Sequence, residues 1–197
     1  LVNYSAAHGS LVIEDDFENE FVYLQKPTPS LFGLAGGQNV VYLGTFSRLL
    51  LPSIRISFMV LPPELSALYR KKADQYNQTA SKAEQIALCQ FIRDGHLAAQ
   101  TRKLKRLYSV KLKALRSAVR EVFGKDSQIQ TGAAGTSLAL TLSTTLTWQE
   151  LQKKAQTNGL RLQLLREAPG KITLILSCSS MPVADFVPAC KLLKNII

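Results

Sequence analysis

The sequence is poor in the residues that build disulfides, metal centres and hydrolytic triads. Its 197 residues include two histidines, three cysteines and one tryptophan. Cys89, Cys178 and Cys190 are scattered through apolar segments, so we expect buried free thiols rather than disulfides or a metal site. Neither His8 nor His96 lies near a Ser, Cys or carboxylate in a triad pattern, which argues against hydrolytic catalysis.

Long apolar runs and glycine-rich phosphate loops are also missing. No run approaches the about 18 residues of a membrane-spanning helix, and no signal-peptide pattern opens the chain, so we expect a cytoplasmic location. The glycines at 36 and 37 do not have the spacing of a nucleotide-binding loop. What the sequence does have is 46% apolar residues, enough for a sizeable core.

The net charge of +10 is concentrated in one segment. Residues 66–126 hold fourteen Lys or Arg against five Asp or Glu. Apolar residues at three- and four-residue spacing predict an amphipathic helix at about 101–123, with basic residues on its other faces. This helix is either a structural element with solvated charges or a surface for nucleic-acid phosphates. Its lack of interleaved aromatics beyond Tyr108 argues against single-strand binding.

The most informative stretch is residues 39–63. Apolar runs at 40–43 and 56–61 predict two short buried strands. The turn between them carries hydroxyl and basic side chains: Thr45, Ser47, Arg48 and Arg55. A buried turn of this kind must satisfy its polar groups internally or with an anion such as phosphate.

A second polar cluster follows a predicted strand at residues 11–13. Glu14, Asp15 and Asp16 lie at the carboxyl end of that strand, where α/β sheets present ligand-binding residues. Taken alone, the cluster favours a solvated acidic loop over a ligand site.

Together these stretches resemble fold type I pyridoxal-phosphate (PLP) enzymes, most closely the aminotransferase-like domain of the MocR group of GntR-type bacterial transcription regulators. The segment from His8 to Asp16 matches a His-Gly-x-x-Val-Ile-Glu-Asp-Asp segment of the family. The stretch at 39–63 matches a Gly-Thr-Phe-Ser-Lys turn with an arginine seven residues after the lysine. The resemblance implies that Asp15 bonds the pyridine nitrogen of PLP and that Arg55 grips its phosphate, with Thr45 and Ser47 adding hydrogen bonds.

Two residues depart from the family pattern. Arg48 stands at the position of the Schiff-base lysine, and Phe17 replaces the tyrosine that bonds the phenolic oxygen of PLP. Arginine stays protonated and is a poor nucleophile, so Arg48 predicts no Schiff base and no ordinary transamination. Arg48 and Arg55 can still hold an anion without a covalent link, or Arg48 pairs with Asp15 or Asp16 in a degenerate site that binds nothing.

The resemblance implies an α/β fold with three parts. These are part of a fold type I large domain at 1–100, a linking helix at 101–131 and a small C-terminal domain at 132–197. Further patterns predict a loop at 26–37, helices at 64–76 and 81–97, strands at 136–143, 160–165 and 171–177, a helix from a Thr147–Glu150 capping box to Gly159, and a last helix from Pro182. No arginine in the strand around Leu174 offers a clamp for a substrate carboxylate.

We therefore predict an effector-sensing, catalytically degenerate aminotransferase-like domain. By resemblance its ligand is PLP or an amino-containing effector, it forms a homodimer, and the chain is the C-terminal part of a longer protein whose winged helix module binds DNA. A fragment of a true PLP-dependent aminotransferase and a dimerisation module without a ligand are the alternatives.

Overall fold

The computed structural model describes residues 1–16, 29–124, 127–131, 135–179 and 181–197. The chain divides into two compact units, with the boundary between Lys103 and Leu104 inside a long helix. Helices and strands alternate in both, so the predicted α/β class is confirmed. Within the described ranges, every helix is too short or too polar to cross a lipid bilayer.

The first unit contains a three-stranded sheet. Its strands are β1 (Val12–Asp15), β2 (Val40–Thr45) and β3 (Ser57–Val60), in that order, with β1 parallel and β3 antiparallel to β2. Burial of the central strand is confirmed, because Val40 is fully buried. The prediction of a second buried strand is wrong, since all four residues of β3 are exposed. An apolar run indicates a strand, but not whether that strand lies at the edge of its sheet.

Four helices complete the first unit: α1 (Val2–Ala7), α2 (Leu31–Leu34), α3 (Pro63–Lys72) and α4 (Lys82–Arg93). Helix α2 corrects the prediction of an irregular loop at 26–37. Besides the local N-cap at Ser30, Glu14 stabilises this helix, because its carboxylate accepts hydrogen bonds from the backbone N–H groups of Leu31 (2.8 Å) and Phe32 (2.9 Å). The Glu14 cap comes from a distant strand, so local sequence did not reveal it. Cys89 in α4 is exposed, which corrects its predicted burial.

The second unit is built on a four-stranded antiparallel sheet of order β4-β5-β7-β6. Its elements are α5 (His96–Phe123), which begins in the first unit, β4 (Gln128–Thr131), β5 (Ser137–Ser143), α6 (Trp148–Thr157), β6 (Gln163–Ala168), β7 (Lys171–Ser177) and α7 (Phe186–Ile196). The sequence did not predict β4, because Gln-Ile-Gln-Thr is a short polar edge strand with no buried residue. The predicted bounds of β7 are confirmed.

The core of the second unit lies between this sheet and its helices. Alternate residues of β5 and β7 are buried, as the period of a strand requires. They pack with buried residues of α5, α6 and α7: Leu115, Val119, Leu151, Phe186 and Leu193. Cys178 and Cys190 are buried in this core, as predicted. The capping box of α6 is also present, with Thr147 and Glu150 bonding each other's backbone N–H groups.

Candidate functional site

One face of the three-stranded sheet collects most of the residues that the sequence singled out. Residues opposite each other on neighbouring strands share a face, and Asp15 lies opposite Leu43 while Thr45 lies opposite Ser57. A cavity of about 340 Å³ opens on this face. Its lining comprises Asp15, Leu43, Gly44, Thr45, Ser47, Arg55, Ser57 and Phe58. The structure thus brings four predicted site residues to one cavity.

The acidic cluster is divided between the two faces of the sheet. Glu14 caps α2, and Asp16 accepts a hydrogen bond of 2.6 Å from the Tyr42 hydroxyl. Asp15 alternates with them and lines the cavity instead. Of the three carboxylates, only Asp15 therefore faces the cavity. Asp15 is also the residue that the family resemblance selects.

Hydrogen bonds within the turn after β2 hold its two ends together. The Thr45 hydroxyl accepts from the backbone N–H of Ser47 at 3.2 Å and donates to the carbonyl of Ile56 at 3.4 Å. The N–H of Phe46 donates to the same carbonyl at 3.1 Å. Thr45 therefore positions the turn and already uses its hydroxyl proton, whereas no bond within the described part of the chain engages the Ser47 hydroxyl.

Arg55 adopts a backbone conformation that is unusual for a residue with a side chain. It follows a 3-10 helix at Pro52–Ile54 and has φ of 48° and ψ of 29°, in the left-handed region. A non-glycine residue there costs on the order of 1 kcal/mol, and such strain is concentrated at functional sites. The strained residue is the cavity's cation, which supports a role in binding.

An aromatic cluster supports the sheet beside the cavity. The Phe58 ring packs at a tilt against Phe46, with centroids 5.3 Å apart, and against Tyr42 at 6.2 Å. A Cβ atom on Gly44 would overlap the Phe58 ring. Glycine is therefore required at position 44 by the packing of Phe58.

Of the two departures from the family pattern, one lies outside the described lining of the cavity and the other outside the described residues. Arg48 is half-buried in the turn and is not among the lining residues, and Phe17 lies outside the described residues. Ser57 was not predicted as a site residue. The signal that could have found it is its pairing with Thr45, but eleven residues separate the two strands and leave their register open.

The chain has close relatives among bacterial regulators, although no family model matches it. The uncharacterized HTH-type transcriptional regulator YdeL of Bacillus subtilis is 35% identical over 162 residues, which cover 82% of this chain and 35% of that protein. The probable rhizopine catabolism regulatory protein MocR of Rhizobium meliloti is 30% identical over 165 residues, 84% of this chain and 34% of that protein. The chain is a relative of the MocR-type regulators. It spans about a third of their length.

Solved aminotransferases share the fold of this MocR relative. LysN, the α-aminoadipate aminotransferase of Thermus thermophilus complexed with N-(5'-phosphopyridoxyl)-L-leucine, matches with a TM-score of 0.77 and 24% identity over 99% of this chain and 52% of that chain. The multiple substrate aminotransferase of Thermococcus profundus matches with a TM-score of 0.79 and 22% identity over 100% and 50% of the two chains. The predicted fold type I architecture is confirmed.

Enzymes are also present among the sequence relatives. The 2-aminoadipate transaminase of Thermus thermophilus is 29% identical over 165 residues, 81% of this chain and 38% of the enzyme. The chain is thus an aminotransferase-like domain segment whose relatives include both regulators and enzymes, so activity has to be argued from its own residues.

Proposed function

We propose that this chain belongs to the effector domain of a MocR-type transcription regulator, and that it binds PLP or an amino-containing effector without catalysing transamination. The observation that carries the proposal is the cavity in which Asp15, Ser47 and Arg55 meet. These are the residues that match the family's cofactor motifs. Regulation, dimerisation and a cytoplasmic location belong to the same proposal, because the named relatives are regulators of transcription.

The donor set of the cavity fits the two polar ends of PLP. Arg55 is permanently charged and offers several N–H donors to phosphate oxygens, and the Ser47 hydroxyl adds another. The Asp15 carboxylate is suited to accept a hydrogen bond from a protonated pyridine nitrogen. When bound to an enzyme with a free amine, PLP supplies an electron sink. The residues of this chain explain binding and orientation without such an amine.

Arg48 is the reason for proposing binding without catalysis. A lysine at this position could lose its proton and attack the aldehyde of PLP, whereas a guanidinium remains protonated at neutral pH and does not. We therefore infer that the ligand is held by charge and hydrogen bonds alone, so that it can be exchanged when its concentration changes.

The test is a thermal melt of the 197-residue chain with PLP, with pyridoxal and with inorganic phosphate. A ligand that binds only the folded state at about 100 times its Kd stabilises that state by about 2.7 kcal/mol. We expect PLP to raise Tm, pyridoxal to raise it less, and Arg55→Gln to remove the difference between them. Arg70→Gln, an exposed change on α3, is the matched control. An equal PLP effect in the Arg55→Gln variant, or no effect in the native chain, would contradict the proposal.

The aminotransferase relative favours a second candidate, an enzyme in which Arg48 replaces a functional lysine. Arg48→Lys distinguishes the two. The effector-domain proposal predicts that this variant turns yellow with PLP through a covalent bond but does not transfer amino groups. Transamination by the lysine variant would favour an inactivated enzyme, and transamination by the native chain would contradict the role of Arg48 altogether.

A further inference from the structure

The solvent face of α5 carries a row of cations within the second unit. The row consists of Arg106, Lys113, Arg116 and Arg120, all of them exposed. At about 100° per residue they fall within about 80° of the helix circumference, and at 1.5 Å per residue they extend over about 21 Å. The buried residues Leu115, Ala118 and Val122 lie on the opposite side of the helix. We call these four residues the basic row.

These cations differ from other lysines of the same unit. Lys111 donates to the carbonyl of Ser179 at 2.9 Å, and Lys194 donates to the carbonyl of Val122 at 2.7 Å. In contrast, no hydrogen bond or ion pair engages the basic row within the part of the chain that the structure describes. The structural role that explains Lys111 and Lys194 therefore does not explain the row.

The spacing of the row is unfavourable for an isolated helix. Arg116 and Arg120 are four residues apart and Lys113 is three residues before Arg116, so like charges are neighbours on one face. Glu121, the acidic residue of α5, lies about 100° around the helix from Arg120, off the row. A partner that supplies a line of negative charges would relieve this repulsion.

From these observations we propose that the basic row binds the phosphate backbone of duplex DNA without reading its sequence. Duplex DNA offers one negative charge about every 1.7 Å of its axis, which matches a straight, rigid row of cations. Arginines that contact phosphates orient a protein on DNA but carry no base specificity. This contact is additional to the winged helix module that the family resemblance implies, and it is independent of PLP.

Three other partners fit the row less well. Protein interfaces are usually anchored by buried Trp, Tyr or bulky apolar side chains, whereas the exposed apolar residues of α5 within the second unit, Leu107 and Val110, lie about 40° or more around the helix from the row. A helix that lies on a membrane needs a free apolar face, but the apolar face of α5 is buried in the core of the second unit. The lack of aromatics also argues against single-stranded nucleic acid.

The experiment is a salt titration of the full chain with a fluorescent duplex of about 20 base pairs, without PLP. Four phosphate contacts predict that log K falls with log salt concentration with a slope of about −3.6. Each single change, such as Arg116→Gln, should reduce the magnitude of the slope by about 1. The quadruple variant R106Q/K113Q/R116Q/R120Q should lose measurable binding. The single variants keep the test valid if the quadruple variant does not fold.

A matched control separates the row from net charge. The variant K153Q/K154Q/R166Q/K191Q removes four exposed charges of the same unit outside the row, and we expect it to bind like the native chain. Equal loss in the two quadruple variants would overturn the proposal, since net charge alone would then be responsible. So would tighter binding to a single strand, to anionic lipid vesicles or to polyglutamate than to the duplex.

Discussion

The two units of this chain differ in how many apolar side chains they bury. The second unit buries a continuous cluster of seventeen apolar side chains between a four-stranded sheet and three helices. In the first unit the buried apolar residues that the structure describes are five: Val40, Val41, Leu49, Ile56 and Leu88. The candidate site lies in the first unit. A sheet with little of its own core can gain much of its stability from a ligand, which agrees with the proposal that the first unit binds one.

The prediction with the largest expected effect concerns one buried leucine in each unit. Leu140→Ala, at a fully buried position of β5, should lower the free energy of unfolding by an amount near the upper end of the range of about 2 to 5 kcal/mol. Leu49→Ala, in the first unit, should lie near the lower end because fewer neighbours leave a smaller cavity. Urea unfolding followed by circular dichroism measures both, and equal losses would remove the contrast between the units.

Gly44→Ala tests the packing behind the candidate site. The added methyl group would collide with the Phe58 ring, and such overpacking destabilises by about 1 to 3 kcal/mol. We expect the unfolding of the first unit to shift while that of the second does not. The double variant with Phe58→Leu should recover part of the loss. If it recovers nothing, the Phe58 ring is not the cause.

Thr147→Ala removes the side-chain cap at the start of α6 in the second unit. The loss of this cap should lower the free energy of unfolding by about 1 kcal/mol. Hydrogen bonds from the Thr147 backbone N–H and hydroxyl lower the pKa of Glu150 below its ordinary value. The stabilisation linked to this carboxylate is therefore present above its unfolded pKa and is lost as the pH falls through the folded one. The variant keeps the backbone N–H of residue 147 and loses only the hydroxyl, so an NMR titration should show a partial rise in the pKa of Glu150. An unchanged pKa would mean that the hydroxyl does not contribute.

The smallest expected effect is that of Arg55→Gly. Glycine accepts the left-handed conformation at no steric cost, so stability should change by at most about 1 kcal/mol, and upward. The PLP-dependent rise in Tm should nevertheless disappear. A variant that is more stable but no longer binds PLP would show that the strain at Arg55 is kept for ligand binding. A marked loss of stability would instead show that Arg55 is structural.

Local chemistry explains where prediction from sequence succeeded. Period-two alternation of apolar residues predicted β7 with its observed bounds, and a Thr and a Glu three residues apart predicted the cap of α6. The family motifs selected Asp15, Thr45, Ser47 and Arg55, and these residues share a cavity in the structure. Each of these features depends on residues within a few positions of one another, or on positions at which the chain matches the family motifs.

The features that prediction missed depend on contacts between distant segments. The exposure of β3 and Cys89, the edge strand β4, and the place of Ser57 opposite Thr45 all follow from which element packs or pairs beside which. Alternation along a strand separates its two faces but does not say which face meets a partner.

By itself, the sequence determined the α/β class, the motif that carries the candidate site and the presence of an arginine at position 48, because these are properties of residue type and spacing. Only the tertiary structure decided that Glu14 and Asp16 serve the fold while Asp15 faces a cavity. It also showed that Lys111 and Lys194 bond to backbone carbonyls, whereas the described part of the chain offers the cations of the basic row no such partner. The reason is physical: a charged side chain's role depends on the neighbours that satisfy it, and those neighbours come from other parts of the chain.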